Sequence, residues 1–286
     1  MYLERYEHTI ARMAKVLKVS ESGYYKWKKT HSSITSKELD DLKLLEEIRE
    51  IYYKSKRVFG IRKVTKRLNR QRSKKGKERV NHKRVERIMR EYDLHSKNSR
   101  KYKVTTDSNH NMPIHENLLA RDFNADSPDE KFVSDTTVVS TNEGDLYAAA
   151  ILDLYGRMPV GLSLSKHNDR FLVLEALKEM LVMGHGKKGS ILHSDQGSTY
   201  CSEEYQQAIE RAEMICSMSR RGNCWDNAPM ESFWGKMKSE WLLDKYDTIE
   251  EAARDIQEYV WVFYPYERPH ASLDYLTPVE YITENR

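Results

Sequence analysis

The sequence predicts an α/β protein, a mixed sheet covered by helices and preceded by an all-α basic region. Three observations carry this. Apolar residues recur at helical spacing up to about residue 95, and alternate as in strands from about residue 131. Between them, residues 96–128 lose periodicity and gain Asn, Ser, Asp and Pro, the composition of a linker. Charge changes in the same region. Residues 54–103 hold 21 Lys and Arg against four acids, a net of +17, while the remainder holds 27 basic and 40 acidic residues, a net of −13.

At 286 residues with 39% hydrophobic content, the chain can fill more than one core. No run approaches the roughly 18 apolar residues of a membrane span, and the N-terminus lacks an apolar signal core. A soluble cytoplasmic protein with no membrane partner is expected. Cys201, Cys216 and Cys224 form no close pairs of the kind found in zinc or redox motifs, so free thiols are expected.

In chain order, residues 1–34 read as a helix-turn-helix-like segment, with Ile10, Met13, Val16 and Leu17 on one face and Ser20 capping a second helix. Residues 35–95 read as a basic helical module. Its first helix, 36–56, repeats Leu39, Leu42, Leu45 and Ile48. Ile61, Val64 and Leu68 form the stripe of the next, leaving Arg62, Lys63, Lys66 and Arg67 on other faces. After a basic loop over residues 69–81, Asn81 caps a helix burying Val85, Ile88, Met89 and Tyr92, with Lys83, Arg84 and Arg87 outward. Such a block suits binding to a phosphate backbone through counterion release. It also suits a solvated linker, or a basic bundle that only packs on its neighbour.

Residues 129–286 read as the sheet domain. KFVSDTTVV, DLYAAAILDLY and RMPVGLSLS, joined by short turns, predict an antiparallel meander. A helix near 169–183, strand SILHS, a helix near 203–211, strand MICSMS and further helices follow.

Three acids stand out here. Asp135 lies inside the first strand, and alternation is taken to set it on the face opposite Val133; a carboxylate on a covered sheet is costly unless it is paired or binds a cation. Asp195 follows the fourth strand in a turn. Glu231 lies just after Asp226-Asn227-Ala228-Pro229, a helix-start signal, with Lys238 seven residues on and Gly235 leaving the face between them uncluttered. The gaps are 59 and 35 residues, but with 44 acids in the chain some such triplet arises by chance. Taken singly, each Asp also reads as a turn or capping residue, and Glu231 with Lys238 as an incidental pair on a surface helix. Converging, three carboxylates would hold two magnesium ions and support in-line phosphoryl transfer.

Together, FVSDTTVV, LHSDQGSTY and NCWDNAPMESFWGKMKSE resemble the DDE transposase and retroviral-integrase superfamily, in particular the OrfB-type transposases of bacterial insertion sequences. VLKVSESGYYKW, FGIRKVTKRL, NHKRVERIMRE and ERPHASLDYLTPVEY extend the resemblance over almost the whole chain. It implies a ribonuclease-H-like fold with Asp135, Asp195 and Glu231 as the catalytic, metal-binding triad, and Mg2+ or Mn2+ as the cofactor. It makes Lys238 a contact to transposon-end DNA and sets Asn227, Arg268 and His270 at or beside the site. It also implies double-stranded DNA as partner and substrate, a dimer or larger homo-oligomer on that DNA, and an upstream OrfA part as partner or fusion. Phe132 stands where this group usually has Trp, and Pro265 where it commonly has Asn.

Overall fold

The computed structural model describes residues 1, 6–31, 35–97, 114–242 and 245–285. Helices α1 (Ile10–Leu17) and α2 (Glu21–His31) open the chain. Thr9 caps the first, and the Ser20 hydroxyl accepts from Gly23 N at 3.0 Å at the start of the second.

Helix α3 (Ser36–Lys54) begins in a reciprocal cap, Thr35 with Glu38. Its buried face is Leu44, Leu45, Ile48, Ile51 and Tyr52, whereas Leu39 and Leu42 are exposed. The expected every-third-residue stripe is therefore corrected: a 3.6-residue period drifts off it, and the core-facing face has mixed three- and four-residue spacing. Helix α4 (Ile61–Lys74) buries Val64 and Leu68 as expected. It runs six residues into the stretch read as a loop, because the first helix breaker is Gly76 at φ +65°. Asn81 caps α5 (His82–Glu91), accepting from Lys83 N at 3.0 Å; Val85, Ile88 and Met89 are buried. Tyr92 falls beyond the helix and is partly exposed beneath the Arg49 guanidinium.

The sheet contains β1 (Lys131–Thr141), β2 (Gly144–Asp153), β3 (Met158–Ser165), β4 (Ile191–Ser194) and β5 (Ile215–Met218), in spatial order β3-β2-β1-β4-β5. The first three form the expected antiparallel meander, and β4 and β5 add in parallel. Helices α6 (Arg170–Val182) and α7 (Glu203–Arg211) cover one face over Phe132, Ile151, Val160 and Leu192. Against that face, a Cβ at Gly161 would meet the Ala176 carbonyl oxygen at 2.4 Å, so only glycine lets α6 approach β3.

The other face, with Val133, Ala148, Ala150 and Leu152, is covered by α8 (Ala228–Lys236), α9 (Ile249–Glu258) and a π-helical stretch, Tyr259–Glu267, that contains Pro265. Its core continues without a break into α3–α5, for instance through Phe59 and Phe263 with ring centroids 5.9 Å apart. Because Val133 and Asp135 are two residues apart in a strand, they share this face. That corrects the expectation that they lie on opposite faces.

Helix α10 (Pro278–Glu284) closes the chain against α4. Glu280 caps its own helix at Thr277 N, 3.1 Å away, and accepts from Arg67 at 2.9 Å and Arg70 at 3.0 Å. Arg70 also pairs with Glu284, and Arg67 with Glu267 at 3.3 Å. Of the stretch read as a linker, residues 98–113 lie outside the described residues; further on, Leu119 is buried in the core.

Glu280→Ala is expected to remove the cap and leave two partly buried arginines short of a partner. Stability should fall by about 1–2 kcal/mol, read as a lower urea midpoint with an unchanged slope.

Candidate active site

Strands β1 and β4 pair in parallel, Phe132 opposite Leu192 and Val133 opposite His193. Carried two positions further, this register sets Asp135 abreast of Asp195, which begins the turn after β4. In parallel strands such partners project to the same side. Asp135 sits mid-strand opposite Ala150 of β2 and is 9% exposed. Asp195 is held in its turn, where its Oδ1 accepts from Gly197 N at 2.9 Å. A Cβ on Gly197 would lie 3.0 Å from that same oxygen, so the turn is tight because residue 197 is glycine.

Glu231 arrives from the opposite direction, in the first turn of α8. Two neighbours fix that helix start. Asn227 is buried and donates from Nδ2 to the carbonyl of Ser134, the residue before Asp135, at 3.0 Å. Asp226 is fully buried. It accepts from Arg220 Nη2 at 2.7 Å, Arg220 Nε and Arg121 Nε at 2.8 Å each, and Arg220 N and Asn117 Nδ2 at 3.1 Å each. The Arg220 bonds first, then Arg121, hold its carboxyl well below the usual range. Between Arg220 and these anchors, Trp225 stands 69% exposed.

The three carboxylates share one electrostatic field. Asp135 is raised well above the ordinary carboxylate range, first by burial, then by Asp195 and Glu231. Glu231 keeps an exposed edge but is raised too, by partial desolvation and then by Asp195. Lys238 comes from a π-helical turn, Met237–Trp241; desolvation lowers its pKa, and Asp135 and Glu231 act against that. Among the described residues, no three His, Cys, Asp or Glu side chains stand close enough together to hold a metal ion. Asp135, Asp195, Glu231 and Lys238 thus form an open cluster with excess negative charge.

Residues 38–102 match an HTH-like domain, residues 125–224 an integrase core domain, and residues 212–278 a second integrase core domain. The insertion element IS600 uncharacterized 31 kDa protein of Shigella sonnei is 37% identical over 94% of this chain and 97% of its own length. Transposase InsF for insertion sequence IS3A of Escherichia coli strain K12 is 31% identical over 100% of this chain and 98% of its own. The chain belongs to the IS3-family transposases. Among solved structures, the HTLV-2 integrase catalytic core domain in complex with magnesium is similar at 13% identity and a TM-score of 0.41, covering 54% of this chain and 97% of that one.

In this transposase the other expected site residues separate into two groups. Asn227 and Lys238 stand at the carboxylate cluster. Arg268 and His270 are buried elsewhere: Arg268 donates to Glu240 from Nε at 2.7 Å and Nη2 at 2.9 Å, and its Nη1 lies 3.2 Å from His270. Lys63 joins Glu240 at 2.9 Å, Arg67 pairs with the tail, and Arg84 and Arg87 pair with Asp41. Arg62, Lys66 and Lys83 are exposed, Lys66 with its ammonium 5.2 Å from the Tyr275 ring centre. Sequence reading missed the Asp226 clamp, whose only signal was the Arg220-Arg221 pair shortly before a helix-start Asp.

A carboxyl whose folded pKa is raised favours the folded state below its ordinary pKa, and this advantage is lost as pH climbs through the folded value. Metal-free Asp135→Asn should therefore melt higher than wild type at neutral pH and equally in acid. The gain should be roughly 2–4 °C, the shift that about 1 kcal/mol produces in a domain of this size. Thermal melts with a chelator, from acid to neutral pH, check it.

Proposed function

We propose that this transposase performs metal-dependent DNA cleavage and strand transfer at the ends of an insertion sequence, with Asp135, Asp195 and Glu231 as its catalytic triad. The reading is supported by the β1–β4 register that sets Asp135 abreast of Asp195, with Glu231 and Lys238 near enough to act on Asp135 electrostatically, in a chain similar from end to end to insertion-sequence proteins. The donor set suits the expected metal. Three hard oxygen donors that repel one another, two with raised pKa values, are in the electrostatic state that a divalent cation relieves.

Asp135, Asp195 and Glu231 would hold two Mg2+ ions, or Mn2+ in their place. Once bound, they supply Lewis-acid activation of the attacking oxygen and neutralise charge on the leaving one. The protein supplies position. Asp135 is fixed by the sheet and Asp195 by its Gly197 turn, while Glu231 rides on a helix tied to β1 through Asn227. Lys238 faces the reacting phosphate of the end DNA, offsetting the negative cluster. Water first displaces the 3′-oxygen at the element's end, breaking one phosphodiester bond and freeing a hydroxyl. That hydroxyl then attacks a second phosphodiester, so one bond forms as another breaks and no nucleotide cofactor is needed.

Exposed Arg62, Lys66 and Lys83 carry duplex binding through counterion release, with Arg84 and Arg87 beside them. Two ends must meet for joining, so the working form on DNA is at least a dimer.

The test is a Mg2+-dependent joining assay on labelled duplexes bearing the element's own ends. Asp195→Asn should lose strand transfer by at least ~100-fold while keeping DNA affinity within about threefold of wild type. Wild-type joining by that variant would end the reading. Joining by the unmodified chain only after an OrfA part is added would make it the catalytic portion of a larger enzyme.

A further inference from the structure

A second polar site lies behind the triad helix. Helix α4, helix α8 and the turn at Arg268–Ser272 enclose a cleft of about 640 Å³. Its charged lining is one-sided. Arg62, Lys63, Lys236 and Arg268 face it against a single carboxylate, Glu240.

That carboxylate is already saturated. Glu240 accepts from both Arg268 nitrogens described above and from Lys63 at 2.9 Å. Arg268 is 4% exposed, and its remaining nitrogen abuts His270, which is also buried. The cationic floor is therefore built and rigid rather than a loose set of surface lysines. Net charge across the lining is +3 with His270 neutral. His270 is held neutral by burial and then by Arg268 and Lys63. Lys63 is pulled down to about 8, by desolvation first and then by Arg268, as expected where cations outnumber anions.

The buried network of Arg268, Lys63 and Glu240 leaves one positive charge over, and the exposed Arg62 and Lys236, which form no part of that network, raise the surplus beyond what joining the helical module to the sheet domain requires. Two of these four cations, Arg62 and Lys236, stand exposed at the rim beside the exposed hydroxyls of Ser232 and Ser272. These groups match the donors that proteins present to phosphodiester oxygens.

Helix geometry relates the two sites. Ser232, Lys236 and Glu240 are four residues apart and line the cleft, while Glu231 and Lys238 lie on an adjoining face of the same helix and its π-helical continuation. One helix thus separates a negative cluster, suited to metal and the reacting phosphate, from a positive cleft, suited to the phosphates beside it.

We propose that this cleft binds the phosphodiester backbone of the end duplex next to the reacting phosphate, with Arg62 and Lys236 as direct contacts and Glu240 positioning Arg268. The proposal rests on the transposase reading.

The test compares wild type, Arg62→Ala/Lys236→Ala and the control Lys178→Ala/Lys188→Ala, in which two exposed lysines of α6 and the following loop are removed. End-duplex affinity is measured as a function of salt. The cleft variant should lose about two phosphate contacts, lowering the log–log salt slope by roughly 1.8 and the affinity about tenfold or more near 0.1 M salt. The control should match wild type. In parallel, Lys236→Cys should capture duplexes whose phosphates flanking the reacting position carry a tethered mixed disulfide, its thiolate displacing the small thiol by exchange, and should not capture those tethered at distant phosphates. An unchanged slope and affinity in the cleft variant, beside a wild type that binds and joins ends, would overturn the cleft alone. A wild type that neither binds nor joins ends would overturn both readings together.

Discussion

The parallel pairing of β1 with β4 is the constraint on which the rest depends. It sets Asp135 and Asp195 side by side, and a slip of one residue would turn Asp135 to the α6 side of the sheet. What prevents the slip is burial on both faces at once. Phe132 belongs to the core beneath α6 and α7, Val133 to the core beneath α8, and both are fully buried. His193, also fully buried, adds a 2.8 Å contact between its Nδ1 and Ser217 Oγ, tying β4 to β5.

Helix α8 translates that register into a site. Its own packing, through Met230, Phe233 and Trp234, presses it onto the sheet, but packing alone would let it slide along its axis. The polar anchors remove this freedom. Asn227 bonds to the backbone beside Asp135, and the buried Asp226 is saturated by two arginines and an amide. Such a pair costs desolvation and contributes little net stability, so its value here lies in fixing the position of Glu231. The same helix keeps opposite charges apart, a carboxylate cluster on one face and a cationic cleft on the next.

Charge segregation along the chain has a structural counterpart. The +17 stretch is met in space by acids from elsewhere: Asp41, Glu47, Glu240, Glu267 and Glu280. Sequence reading saw the asymmetry and offered backbone binding or packing as its use. The structure gives part of the block to packing, chiefly Lys63, Arg67, Arg70 and Arg72, and leaves Arg62, Lys66 and Lys83 at the surface.

Local signals were legible because they depend on neighbours in the chain. Asn81 caps α5, Asp169 starts α6, and Pro229 stands in the first turn of α8 as the sequence implied. The meander also follows from short turns that admit only antiparallel neighbours. By itself, then, the sequence determined the elements, the helical and sheet regions, and the three acids worth watching. It could not determine the β1–β4 partnership, the face of Asp135, or which cations Glu240 and Glu280 take up, since Lys63 and Glu240 are 177 residues apart. Those belong to tertiary structure, because strand partners and ion pairs are chosen by whole faces that must be buried together, and alternation along a single strand records only that two faces exist.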